Sequence, residues 1–277
     1  MRWSKNKNSK RSAKKLKNWI NHNFVELKKV AESTTKYGIL TSLESVVSGS
    51  DLYLRIGMST GDAAGHNMTE KAAYAIAEYL HKVAPCKVEL GSLSGNYCID
   101  KKPAVLNIEK GRGKIVQAEI ILPEDVVKKN LKTTSKRIVE LNLKKNIIGS
   151  ELAGSLGKNA HHANIVAAMY LATGQDIANV VGGSLGKTNA DYLGGELRFS
   201  VKLPALIVGT IGGGTKQAYA RENLIRMGCY GAGNPIGSNS KTLAEVIAAT
   251  VLVGELSLMA ALTNGDELMK THLRFER

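Results

Sequence analysis

Cysteine is scarce in this chain. Cys86, Cys98 and Cys229 are scattered through 277 residues without a Cys-x-x-Cys pair. That spacing argues against a disulfide framework and against a metal site, and it fits a reducing cytoplasm. No apolar run reaches the length of a membrane span. The nearest, 246–262, is interrupted by Glu255 and reads as a buried helix. No charged-then-apolar leader opens the chain, and no internal repeat or low-complexity block interrupts it. Acids are missing from residues 1–18, which carry Arg2, Lys5, Lys7, Lys10, Arg11, Lys14, Lys15 and Lys17. Aromatics interleaved with those cations are missing too, Trp3 apart, so a nucleic-acid reading of this run rests on charge alone.

What is present is 43% hydrophobic content, enough for one large core or two modest domains, and a net charge of +14. The basic run 1–15 reads as a frayed, solvated start to a helix. The remaining positive excess suits a polyanionic ligand such as a phosphorylated nucleotide or coenzyme A. Apolar periodicity predicts a helix over 16–31, strands over 38–47 and 52–58 around a Ser-Gly-Ser turn, a helix over 67–83 and a strand over 86–93. That order suggests a small α+β unit resembling a split βαβ sandwich. A strand over 113–122 follows, then one long basic helix over 124–145. Further on come two strands within 196–211, a long buried helix over 243–262 and a short final helix over 267–277.

Four polar islands interrupt this pattern. The first is Thr60-Gly-Asp-Ala-Ala-Gly-His-Asn-Met68, between a strand and a helix, where glycines admit a close ligand and helix-start amides can receive a phosphate. Its spacing is not that of a dinucleotide GxGxxG fingerprint. The second is Ser94-Gly-Asn-Tyr-Cys-Ile-Asp-Lys-Lys-Pro103, a loop pinned between glycine and proline that presents Lys101 and Lys102 to something anionic. The third is Asn159-Ala-His-His-Ala-Asn164, where His161 and Asn164 share a helix face above Ala167 and Ala168. That helix ends at Gly174-Gln-Asp176. Asp176 is either the cap of the next helix or a buried acid holding a neighbouring lysine charged. The fourth joins Gly209-Thr-Ile-Gly-Gly-Gly-Thr215, open to either ligand contact or tight packing, with His272, a residue placed to donate a proton if the tail folds over a site.

Taken together, the segments 61–68, 94–103, 159–164, 174–176, 208–215 and 254–261, followed by His272, resemble the hydroxymethylglutaryl-CoA reductase family in family order. The resemblance implies an α+β architecture. A small ferredoxin-like NADP-binding domain over 16–93 would be inserted in a larger, mainly helical domain over 94–277 for substrate, CoA and dimerisation. It further implies reduction of hydroxymethylglutaryl-CoA to mevalonate with two NADPH, CoA leaving between the two hydride transfers. Lys101 would stabilise the oxyanion and polarise the aldehyde, Asp176 would hold Lys101 charged, and His272 would protonate the departing CoA thiolate. Ser94, Lys102, Lys145, His161 and Asn164 would bind substrate; Asp62, Asn67, Met68, Gly209 and Gly212 would contact the cofactor. A homodimer is implied, with no metal, nucleic-acid or membrane partner.

The family's Thr-Thr-Glu-Gly-like motif, which carries its catalytic glutamate, has no counterpart among these 277 residues, and Arg2 is the nearest match to a substrate-binding arginine. A second reading therefore stands beside the enzyme: a remnant that binds nucleotide or CoA, or that pairs with a full-length reductase.

Overall fold

A computed structural model describes residues 9–265 and 267–275 and divides the chain into two compact units, Met1–Asp100 and Lys101–Arg277. Arg2, Trp3 and the first part of the basic run lie outside the described residues. The expected boundary after Leu93 thus falls at Asp100 in the structure.

In the first unit, helices α1 (Ser9–His22) and α2 (Phe24–Glu32) precede strands β1 (Ile39–Ser48) and β2 (Asp51–Ser59) and helix α3 (His66–Val83). The single helix expected over 16–31 is broken at Asn23, whose side-chain amide donates to the Trp19 carbonyl at 2.8 Å. An asparagine that satisfies a backbone group this way competes with the helix ladder. The apolar stripe still continues through the break, since Leu16, Ile20, Leu27 and Ala31 are all buried with Leu40, Leu52, Ile76 and Leu80. β1 and β2 pair antiparallel from Ile39↔Ser59 to Ser48↔Asp51, turning through Gly49 at φ +61°. The strand expected over 86–93 does not form: the sheet has two strands, and the segment has no regular structure, with Val88 alone buried. Instead of joining a ladder, the Val88 carbonyl accepts from the His81 ring at 2.9 Å. The split βαβ sheet is therefore replaced, among the described residues, by a helix–helix–hairpin–helix arrangement.

The second unit begins with α4 (Val105–Glu109), β3 (Lys114–Pro123), α5 (Glu124–Leu131) and α6 (Ser135–Leu141). A π-helical stretch, Asn142–Gly149, runs into the short α7 (Ser150–Leu152). The one long helix expected over 124–145 is thus three pieces. Lys132 takes the left-handed conformation at φ +56°, Thr133 buries its hydroxyl against that of Thr263 at 2.7 Å, and Thr134 caps α6 by accepting from the Arg137 amide. Hydroxyl side chains favour helix ends over helix interiors, so Thr133-Thr-Ser135 is where the register resets.

Helix α8 (His162–Ala172) and the short α9 (Val180–Gly183) lead to β4 (Lys187–Leu193) and β5 (Glu196–Leu206). α10 (Ala218–Arg226), α11 (Ser238–Thr263) and α12 (Glu267–Phe275) complete the chain. Only one strand lies in 196–211; its partner precedes it, across a Gly194-Gly195 turn with both φ angles positive. The antiparallel sheet has the order β3-β5-β4, and central β5 buries Leu197, Phe199, Val201 and Leu203. α11 packs on β3, β5 and α8 and supplies Leu243, Ile247, Val251 and Met259 to the core.

By length and composition α11 is also the one helix among the described residues apolar enough to cross a membrane, with a mean hydropathy of 2.0 over its best 18 residues. That exceeds what the sequence reading allowed. Half of that window is buried within the protein, and the helix interior includes the carboxylate of Glu255.

Candidate active site

Lys101 Nζ lies 2.6 Å from Asp176 Oδ2, each side chain about two-fifths exposed. The lysine is presented by a loop with left-handed residues on either side of Asp100, φ +55° at Ile99 and +54° at Lys101. Bulky residues adopt that conformation rarely, so surrounding bonds must enforce it. One such bond is visible downstream: buried Asn107 donates through Nδ2 to the Lys102 carbonyl at 3.0 Å, tying the loop to α4.

Asp176 is positioned by the end of α8. Gly174 turns the chain at φ +66°, and Gln175 then clasps a second strand of chain, donating to the Gly209 carbonyl at 3.0 Å and accepting the Gly209 amide at 2.9 Å. A Cβ on Gly174 would stand 2.4 Å from the Gly214 carbonyl oxygen, and one on Gly214 would stand 2.5 Å from that of Gly174. Gly214 of the triple glycine therefore serves close backbone crossing. Asp176 is the cap of the next turn, and it is not a buried acid, since its side chain is about two-fifths exposed. Oδ1 caps the 3₁₀ turn Ile177–Asn179 by accepting from Ala178 N–H at 3.1 Å, and Oδ2 faces Lys101.

His161 and Asn164 stand at the opposite end of α8, about 12 Å of helix axis from its last turn at 1.5 Å per residue. Asn164 is exposed, and its amide donates to the His161 carbonyl. His161 is half-buried and its Nε2 lies 3.0 Å from the Gly254 carbonyl. Lys145 is exposed on the π-helical stretch, between buried Asn142 and Asn146, whose amides bond each other at 2.9 Å. Such wide turns occur often at functional sites. Lys102 and Ser94 are exposed, with Ser94 Oγ 3.3 Å from Cys98 Sγ. His272 is exposed on α12.

Within the first unit, Asp62 is buried, Asn67 exposed, and Met68 packs so closely on Gly38 that a Cβ there would lie 2.6 Å from its sulfur. α3 is preceded by Gly65 in the left-handed conformation, φ +94°. A cavity of about 500 Å³ lies beside it, lined by Thr34, Asn67, Glu70, Lys71, Tyr74 and Leu93 among others. His66 Nε2 is 3.6 Å from Asp100 Oδ1. Among the described residues no group of three metal-ligating side chains occurs.

Sequence reasoning passed over one cluster. Glu255, fully buried, accepts from the amides of Ala160 at 2.6 Å and His161 at 3.0 Å and from the Thr188 hydroxyl at 2.7 Å. His162, also fully buried, bonds Thr188 Oγ1 through Nε2 at 3.0 Å. Burial lowers the His162 pKa to about 4, partly offset by the Glu255 charge. The signal was available: a lone acid inside an apolar helix demands partners.

Comparison with known proteins bears on the family. The family described as hydroxymethylglutaryl-coenzyme A reductase matches residues 5–277. The chain is 46% identical over 268 residues to 3-hydroxy-3-methylglutaryl-coenzyme A reductase of Methanocaldococcus jannaschii, covering 95% of this chain and 64% of that protein. It is 46% identical over 252 residues to the Haloferax volcanii enzyme, covering 91% of this chain and 62% of that one. The chain thus spans just under two thirds of the length of these curated relatives. Among solved structures, a class II reductase from Streptococcus pneumoniae, described as bound to NADPH in open conformations, aligns with a TM-score of 0.62 at 19% identity. That alignment covers 94% of this chain and 69% of that one. With the ordered motifs and nearly the whole chain matched, this protein belongs to the hydroxymethylglutaryl-coenzyme A reductase family.

Proposed function

We propose that this chain carries the substrate- and cofactor-binding part of an enzyme that reduces hydroxymethylglutaryl-CoA to mevalonate and CoA with NADPH, as part of the mevalonate route to isoprenoids. The carrying observation is the 2.6 Å pair of Lys101 and Asp176. An ammonium held beside a carboxylate stays charged and oriented, as a group must be to meet a developing oxyanion. Lys101 stabilises the oxyanion of the hemithioacetal and then polarises the aldehyde, and Asp176 keeps it charged. His272 protonates the departing thiolate, so that the thiolate cannot return to the aldehyde. Ser94, Lys102 and Lys145 hold the carboxylate and hydroxyl end of the acyl group, with His161 and Asn164 lining the pocket.

The first unit has features suited to a phosphorylated nucleotide. The cavity of about 500 Å³ along α3, with Asn67 and Lys71 in its lining, fits a phosphorylated ring. NADPH, when bound, supplies the hydride. Asp62, Asn67 and Met68 form the nucleotide loop. The reading includes a homodimer acting in the cytoplasm.

The test is direct. Purified protein should bind hydroxymethylglutaryl-CoA and NADPH, and the cofactor oxidation it supports should be lost in Lys101→Ala. An unchanged rate in that variant overturns the assignment.

A further inference from the structure

Glu255 does more than satisfy itself. Its two oxygens take the main-chain amides of Ala160 and His161 just ahead of α8, while the carbonyl of the preceding residue, Gly254, takes the His161 ring. One turn of α11 therefore grips both the backbone and the imidazole of His161. The approach is close: a Cβ on Gly254 would stand 2.4 Å from Ile165 Cδ1 of α8.

Hydrogen-bond logic then identifies the ring protons. A carbonyl oxygen can only accept, so the nitrogen 3.0 Å from Gly254 O carries a hydrogen, and that nitrogen is Nε2 of His161. In the neutral ring Nδ1 is then a bare acceptor, and it has no partner among the described residues. At the neighbouring histidine, Thr188 spends its one hydrogen on Glu255, so it accepts from His162 Nε2–H. His162 Nδ1 is buried without a partner, and Gly186 leaves it room. Both rings thus carry the same tautomer, and both are tied to one carboxylate.

We infer that Glu255 is a positioning residue for the acyl-substrate pocket: with Gly254 it fixes His161 as the Nε2–H tautomer and turns Nδ1 to the ligand as a hydrogen-bond acceptor for a hydroxyl donor. The inference rests on the functional reading above and adds a residue and a polarity to it. A bare imidazole nitrogen selects for a substrate hydroxyl and against a second acceptor in its place. The anchor is a buried carboxylate because three donors converge there, and a neutral amide would turn one of its own hydrogens toward a donor.

Long-range ¹⁵N–¹H spectra of the histidines test this without any variant. Wild-type His161 should show the Nε2–H pattern, and 3-hydroxy-3-methylglutarate should shift its Nδ1 resonance. An Nδ1–H pattern in the wild type, or a bound ligand that leaves Nδ1 unmoved, overturns the proposal. A wild-type protein that binds no ligand fails the functional reading and the ligand half with it, while the tautomer still reports on Glu255. In Glu255→Gln the KM for hydroxymethylglutaryl-CoA should rise about tenfold, the worth of one hydrogen bond, with the KM for NADPH within about twofold. A variant with a lower melting temperature but an unaltered His161 tautomer and KM would make Glu255 merely structural.

Discussion

Asp176 divides its two oxygens between Lys101 and the start of the next helical turn, so the charge partner of the lysine is also a fixed point of the backbone. A partner placed this way cannot drift with the solvent, although the pair is about two-fifths exposed.

From this follows a separation of stability and activity. An ion pair so exposed is worth about 0–1 kcal/mol to the fold. Asp176→Asn keeps an oxygen for the Ala178 amide and removes the charge. Its melting temperature should stay within a few degrees of wild type while the rate of cofactor oxidation falls about 10²–10³-fold. Calorimetry and steady-state kinetics on the same preparation check both halves.

Thr188 links two buried groups, and its removal should cost more than its size. Thr188→Val is nearly isosteric but leaves His162 Nε2–H without its acceptor and Glu255 Oε1 with the Ala160 amide alone, at about 1–3 kcal/mol. Thr188→Ser restores the hydroxyl and should recover most of that loss. Denaturant midpoints of the three proteins decide it; equal midpoints for Val and Ser variants would show the hydroxyl to be idle.

His162 makes stability depend on pH in a stated window. Burial lowers its folded pKa to about 4 from an ordinary 6.5, with Glu255 opposing and His161 adding to the shift. Above pH 6.5 both folded and unfolded rings are neutral and nothing is lost. Between 6.5 and about 4 the unfolded ring binds a proton that the folded ring refuses, so stability falls as pH falls, by on the order of 3 kcal/mol at the lower end. Replacing His162 with Gln should flatten that part of the stability–pH curve, read by urea unfolding across the range.

Two glycines should separate collision from conformation. Gly174→Ala drives a methyl against the Gly214 carbonyl at 2.4 Å and also keeps φ at +66°, whereas Gly212→Ala, at φ +77°, meets nothing within 4 Å. The second should cost about 1–3 kcal/mol, because φ +77° with ψ 178° is a region essentially reserved for glycine, and the first, which adds a backbone collision, more. Melting temperatures rank them.

Lys101 and Asp176, which the fold brings together, both lie in segments that stand out in the sequence. The Lys101 loop, the His161–Asn164 face and the glycine run stood out because their residue types are costly anywhere without a reason. Elements with strong periodicity, such as β3, α3 and α11, occupy nearly their expected spans. The misreadings share a cause. Asn23 and Thr133-Thr-Ser135 broke two helices whose apolar stripes continue across the break, so periodicity alone ran through them. The segment 86–93 alternates like a strand, yet a strand also needs a ladder partner, which no window of its own sequence supplies. Glu255 was noticed only as an interruption of a hydrophobic run.

The sequence by itself determined where charge, glycine and apolar periodicity fall, because those properties act within four or five neighbours along the chain. Tertiary structure decided which distant groups meet. It brought residue 101 to 176, gave the acid of 255 the amides of 160 and 161, and crossed the backbones at 174 and 214. Those choices depend on packing between elements far apart in sequence, where an unpaired buried donor or a methyl against a carbonyl costs several kcal/mol and so allows few arrangements.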